Sequence, residues 1–231
     1  MKTDKKRLWL DYIPMAFTAA LIILLSDWKS QSLLKILPTL ITLVVQILLA
    51  RASRWAFLVG GINSILYALC YFDEGLGFQA FFAILISMPI QIYSYFNWKR
   101  NTVGGTPKLR TLSLYTKIAT AVSILAVWLL CQHLLADLIS SDGKHVLLDT
   151  LLFTLGITVT ILSSVRYVDS QYIGLLSSVI SLILWITITV EEPCMINYVI
   201  ISAYNLFKGV NITISWTRIY LKSKSTEKEV I

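Results

Sequence analysis

Apolar residues fall in eight long runs along this chain, at about 11–26, 34–50, 55–72, 78–98, 112–136, 146–165, 172–190 and 195–217. A helix crosses the ~30 Å hydrocarbon core of a bilayer in roughly 17–25 residues. The runs therefore predict eight membrane spans, the first being the shortest. The polar residues within the runs recur at helical spacing. Gln91, Ser94, Tyr95 and Trp98 follow i, i+3, i+4, i+7 and share a helix face. Thr39, Thr42 and Gln46 form a second stripe, Thr150, Thr154 and Thr158 a third, and Tyr204, Asn205, Lys208, Asn211 and Ser215 a fourth. A polar stripe inside a membrane must face water or protein, so stripes on several helices predict a shared polar centre. Pro38 reads as the start of the second helix, where a missing N–H costs nothing, and Pro89 as a kink in the fourth.

Composition supports the membrane reading. Of 231 residues 56% are hydrophobic and 14% charged, with mean hydropathy +0.72; a soluble domain carries about a quarter charged residues. The net charge of +7 does not imply a nucleic-acid partner, because the cations sit in short loops. Numbering the loops alternately puts fifteen Lys and Arg on the side of the N-terminus and three (Lys29, Lys35, Lys144) on the other, which predicts both termini cytoplasmic. No small-residue cleavage site follows Leu25, so the first helix is expected to be retained. Cys70, Cys131 and Cys194 show no paired spacing and read as small buried hydrophobes.

The chain also repeats itself. Arg51 pairs with Arg166 at an offset of 115, Ser64 with Ser178 at nearly the same offset, and Trp98 with Trp216 at 118. Segments two to four thus recur as six to eight, with the fifth as a linker. An odd linker gives a parallel repeat, whose substrate site is expected between the two halves. The predicted organisation is an N-terminal tail and extra helix over 1–33, a three-helix bundle over 34–100, a linker over 101–145, a second three-helix bundle over 146–220 and a cytoplasmic tail over 221–231.

Candidate ligand contacts are the residues hardest to place in lipid: the amides Asn63, Gln91, Asn205 and Asn211, the Ser178 hydroxyl, and Trp98 or Trp185 as a stacking ring. Trp98 with Lys99 and Arg100 also reads as an interfacial anchor. Lys208 costs roughly 2.5–3.5 kcal/mol at mid-helix, so it must face a cavity, pair with a carboxylate or hold an anionic group of the ligand. There is no HExxH, GxSxG or P-loop motif, so neither an enzyme nor a cofactor nor a resident metal is expected. His133, Asp137, Asp142, His145 and Asp149 read as a solvated outer loop. A membrane receptor is a competing reading, weakened by short loops and the lack of a signalling segment.

The GGIN run at 60–63, the IYSYFNW run at 92–98 followed by cations, the RYV run at 166–168 and the Asn211–Trp216 spacing resemble the PnuC family of bacterial vitamin transporters over about residues 34–220. The resemblance implies an all-α fold of two three-helix bundles joined by a linker helix (3+1+3), similar to the SWEET sugar transporters, assembled as a homotrimer in the bacterial inner membrane. It implies uptake of nicotinamide riboside by uniport, with a cytoplasmic kinase trapping the product; related carriers take thiamine or riboflavin. One departure stands out. The family's W-x-x-x-N in the seventh segment falls on Gly174 and Ser178 here.

Overall fold

The computed structural model describes residues 2–25, 33–103, 106–135 and 145–229. Lys29, Asp137, Asp142 and Lys144 lie outside the described residues. Each apolar run becomes one helix: α1 Lys2–Leu25, α2 Leu33–Ala50, α3 Trp55–Asp73, α4 Gly77–Arg100, α5 Leu114–Leu130, α6 Val146–Ser164, α7 Asp169–Glu191 and α8 Ile196–Glu229. Among the described residues five helices (α3 to α7) are long and apolar enough to cross a membrane, and shorter apolar stretches cover Asp11–Leu25 and Ile36–Ala50. A two-residue hairpin, Thr102–Val103 with Thr106–Pro107, follows α4.

Six helices close a ring. α2 packs on α3, α3 on α4, α4 on α6, α6 on α7, α7 on α8 and α8 back on α2. The two helices left out of the ring lie outside it: α1 against α8 and α2, α5 against α6. No residue of α5 between Leu114 and Leu130 is buried.

The two prolines act differently from each other. α2 begins at Leu33, so Pro38 lies inside it rather than at its start. The Pro38 carbonyl accepts from Thr42 Oγ1 (2.9 Å) and Asn63 Nδ2 (3.1 Å), which ties α3 to α2. Pro89 follows a π-helical turn, Phe82–Ser87, within α4. A wider turn just before proline relieves the clash of its ring with the preceding carbonyls.

The turns after α2 and α6 are alike bond for bond. Ala52 N–H donates to Leu49 O (2.8 Å) and Ser53 N–H to Leu48 O (2.9 Å); Arg166 N–H donates to Ser163 O (3.0 Å) and Tyr167 N–H to Leu162 O (2.9 Å). Ala52 and Arg166 both take the left-handed backbone, with φ 49° and 67°, the conformation that closes a helix C-terminus. The offset here is 114, so Arg166 matches Ala52, and Arg51 matches Val165. The sequence pairing of Arg51 with Arg166 was one residue out.

Side chains of the neighbouring ring helix donate to the carbonyls at both helix ends. At the end of α6, Trp98 Nε1 donates to Ser163 O (3.0 Å) and Asn97 Nδ2 to Ser164 O (2.7 Å). At the end of α2, Trp216 Nε1 donates to Leu49 O (2.9 Å) and Ser215 Oγ to Ala50 O (2.9 Å). Leu49 O and Ser163 O each accept the turn N–H as well as the indole N–H, so the two tryptophans use the second lone pair of a carbonyl and tie neighbouring helices together. Trp98 is therefore not an interfacial anchor. It is 1% exposed, with its ring 4.8 Å from Phe57 and 5.1 Å from Trp216. At the opposite end of the ring, Trp185 stacks on Tyr198 (4.2 Å) and faces Tyr71 (6.3 Å).

The inter-bundle cavity as candidate functional site

Between these two aromatic layers lies a cavity of about 310 Å³, at the small end of ligand sites. All six ring helices line it: Gln46 from α2, Phe57 from α3, Phe82, Ser87, Gln91 and Ser94 from α4, Gly156, Thr160 and Ser163 from α6, Gln171, Gly174, Ser177 and Ser178 from α7, and Asn205 and Gly209 from α8. None of the lining residues is charged.

The polar groups are held in place by one another. Gln91 Nε2 donates to Ser64 Oγ (3.0 Å) and Ser87 Oγ (2.7 Å), and those two hydroxyls lie 3.0 Å apart. Ser87 closes the π-turn, so that turn aims its hydroxyl at the cavity. Gly60 makes room for the amide: a Cβ there would strike Gln91 Oε1. Gly156 does the same for the Phe82 ring, whose Cζ would lie 2.9 Å from a Cβ. Across the ring, Gln46 Nε2 donates to Asn205 Oδ1 (3.0 Å). Ser64 Oγ donates to Gly60 O (3.0 Å) and Ser178 Oγ to Gly174 O (2.9 Å), the same bond 114 residues apart. The cavity thus presents preorganised amides and hydroxyls, able to hydrogen-bond a polar ligand, and no cation to neutralise an anionic one.

Of the eight residues singled out from sequence, three line this cavity: Gln91, Ser178 and Asn205. The other five lie elsewhere. Asn63 is buried between α2 and α3, bonded to Pro38 O and to Thr42 Oγ1 (3.0 Å). Trp98 and Trp185 belong to the layers at either end. Asn211 is exposed and donates to its own helix at Phe207 O (3.3 Å). Lys208 is fully buried and donates from Nζ to Asp11 Oδ1 of α1 at 2.8 Å. Of the partners expected for Lys208, the carboxylate is the one it has. The α8 stripe is split because α8 packs on both sides, with Asn205 turned to the ring interior and Lys208 to α1.

Sequence reasoning passed over Gln171 and Thr160 and left Gln46 uncommitted. Gln171 opens α7 beside a charged turn and carries no periodic signal. Gln46 sat in a stripe with Thr39 and Thr42, which both turn away: Thr39 Oγ1 donates to Ile36 O (2.6 Å) within α2, and Thr42 meets Tyr67 OH (2.9 Å).

Asp149 corrects the reading of a solvated outer loop. It is wholly buried, and its carboxylate accepts from the backbone N–H of Phe78 (3.2 Å) and Gln79 (3.2 Å), while Gln79 Nε2 donates to Asp149 O (3.0 Å). An acid at a helix N-terminus satisfies its orphan N–H groups and its dipole. Among the described residues no group of three or more His, Cys, Asp and Glu could hold a metal ion.

Comparison with known proteins agrees with this architecture. A solved structure described as the vitamin B3 transporter PnuC superposes with a TM-score of 0.76 over 92% of each chain, at 15% identity; that likeness speaks for the fold. No curated protein matches the chain. The family model for the nicotinamide mononucleotide transporter matches residues 32–218. Spanning all of α3 to α7 and the cavity they help enclose, that match makes this multi-pass membrane protein a member of the nicotinamide mononucleotide transporter family, a family of transporters and not of enzymes.

Proposed function

We propose that this chain takes nicotinamide riboside, or a related vitamin precursor, into the cell through the inter-bundle cavity. The observation that carries the reading is a cavity lined by all six ring helices, with amide and hydroxyl groups in its wall and no charged side chain. A phosphate buried there would have no cation to neutralise it, at a cost of several kcal/mol. A nucleoside fits better than a mononucleotide. Gln91, Ser178 and Asn205 hydrogen-bond its hydroxyls and amide, with Gln46 and Gln171 beside them. Phe57 and Phe82 are the aromatic rings on the cavity, and ring faces attract a cationic pyridinium. They stand in for the family aromatic whose place is taken by Gly174.

The mechanism is alternating access of a parallel 3+1+3 repeat, in which α2–α4 rock against α6–α8. The matching turns after α2 and α6 support the repeat, as do the reciprocal Trp98 and Trp216 bonds. Eight spans with both termini in the cytoplasm follow from the charges of the loops. Transport is uniport, with trapping by phosphorylation inside. In support, the buried carboxylates Asp11 and Asp149 are each engaged in structural bonds. A homotrimer in the bacterial inner membrane completes the reading, as the family resemblance implies.

Uptake of labelled nicotinamide riboside into proteoliposomes tests it, with thiamine, riboflavin and nicotinamide mononucleotide as competitors. We expect saturable uptake driven by the gradient alone, competed by unlabelled nicotinamide riboside at least about tenfold better than by the mononucleotide. Equal competition by the mononucleotide would remove the argument from the uncharged cavity. Binding with no uptake would make the protein a receptor.

A further inference from the structure

Arg166 is one of four charged residues buried among the described residues, the others being Asp11, Asp149 and Lys208, and among the described residues it has no acid partner. It is 3% exposed, and its Nε makes no hydrogen bond. Its Nη1 reaches the Asn101 carbonyl at 3.4 Å, a long contact. Among the described residues no carboxylate lies within ion-pair range of it. Asp169, near in sequence, is engaged with Lys117 (3.0 Å) and with the Leu112 N–H (2.7 Å).

A second arginine adds to the positive charge. Arg110 N–H donates to Arg166 O (3.0 Å), and Val168 N–H returns to Arg110 O (2.9 Å), so the two backbones are locked side by side. Burial, and next the Arg110 charge, push the Arg166 guanidinium below the usual arginine range, with Tyr93 opposing. A buried guanidinium without a counter-charge is costly. The turn it occupies does not require it. Its counterpart, Ala52, makes the same left-handed turn with the same hydrogen bonds. The arginine is therefore present for its side chain.

We propose that Arg166 and Arg110 form an anion site for a phosphate group at the Trp98 end of the molecule, outside the transport cavity. Guanidinium groups suit phosphate because their donors match its oxygens in pairs. Two sources share that chemistry. One is the headgroup of an anionic phospholipid, reached past Tyr93, which is 60% exposed at the edge of α4. The other is a soluble phosphorylated compound. A bound phosphate would link the end of α4, the segment before α5 and the α6–α7 turn, the elements that Trp98 already joins.

Thermal unfolding of the full-length protein tests this in two arms. In neutral detergent, inorganic phosphate is titrated against chloride at equal ionic strength, which removes screening as a cause. In vesicles, phosphatidylcholine is compared with phosphatidylcholine containing phosphatidylglycerol. We expect a saturable rise in Tm in at least one arm, at about tenfold lower affinity in Arg166→Ala and with a smaller loss in Arg110→Gln. Arg166→Ala reproduces the Ala52 turn and so keeps the fold. If it does not fold, Arg110→Gln, at an exposed position, carries the test. A response to inorganic phosphate assigns a soluble ligand; a response only to phosphatidylglycerol assigns a lipid. No rise in either arm, or a rise unchanged in the variants, overturns the site.

Discussion

Lys208→Met is expected to destabilise the folded protein by about 3–5 kcal/mol, because it strands the Asp11 carboxylate between α1 and α8. The ammonium is fully buried and lies 2.8 Å from that carboxylate. Among the described residues Arg51 is the other cation in reach, at 3.8 Å, and it is half-exposed and weakly placed to compensate. The double variant Asp11→Leu/Lys208→Met removes both charges. Replacing a whole buried pair by apolar groups is often neutral or favourable, so the double variant should regain most of the loss. Unfolding in detergent by a chemical denaturant reads both. The pair is expected to fasten α1 to the ring rather than to touch substrate, so the double variant should still transport. A double variant as unstable as Lys208→Met would mean that the pair is not the cause.

The second large effect lies at the Trp98 end. Trp98→Ala is expected to cost about 3–5 kcal/mol, the range for a buried aromatic truncated to a methyl. It removes the packing on Phe57 and Trp216 as well as the bond to Ser163 O. Trp98→Phe keeps a ring and leaves Ser163 O with the Arg166 N–H as its donor, so the smaller cost of one lost hydrogen bond, about 0.5–1.5 kcal/mol, is expected. The matching pair, Trp216→Ala and Trp216→Phe, should follow the same order, because Trp216 makes the equivalent bond to Leu49 O. Thermal melts of the four proteins check this. If only one of the two tryptophans matters, the symmetry of the closure is wrong.

Much of the architecture was legible because lipid removes ambiguity. Every backbone group in a span must be satisfied internally, so eight apolar runs became eight helices with few choices left. The tryptophans also pointed to the proposed repeat. Its register was less legible, since a side-chain pairing such as Arg51 with Arg166 slips by one residue easily, whereas the hydrogen bonds of the turns do not slip. The site was partly legible. A stripe tells that a helix face is polar, not which neighbour it meets. Gln91 and Asn205 turn into the ring. Lys208, on the same stripe as Asn205, meets α1, whose Asp11 is 197 residues away, and no periodicity within α8 signals that. Asn63 and Asp149 were unreadable for a related reason. Each satisfies backbone groups of another helix, and a polar side chain doing so in lipid looks the same in sequence as one awaiting a ligand.

The central claim is that the cavity between the six ring helices binds the transported nucleoside. The most direct measurement is equilibrium binding of nicotinamide riboside to purified wild-type protein, Gln91→Leu and Trp185→Phe, by isothermal titration calorimetry. Gln91 lines the cavity, whereas Trp185 lies in the aromatic layer beyond it. The prediction is that Gln91→Leu weakens binding by at least about tenfold, the loss of one or two buried hydrogen bonds, while Trp185→Phe binds as wild type does. Undiminished affinity in Gln91→Leu, with binding lost in Trp185→Phe, would contradict the assignment and move the site to the Tyr71–Trp185–Tyr198 layer.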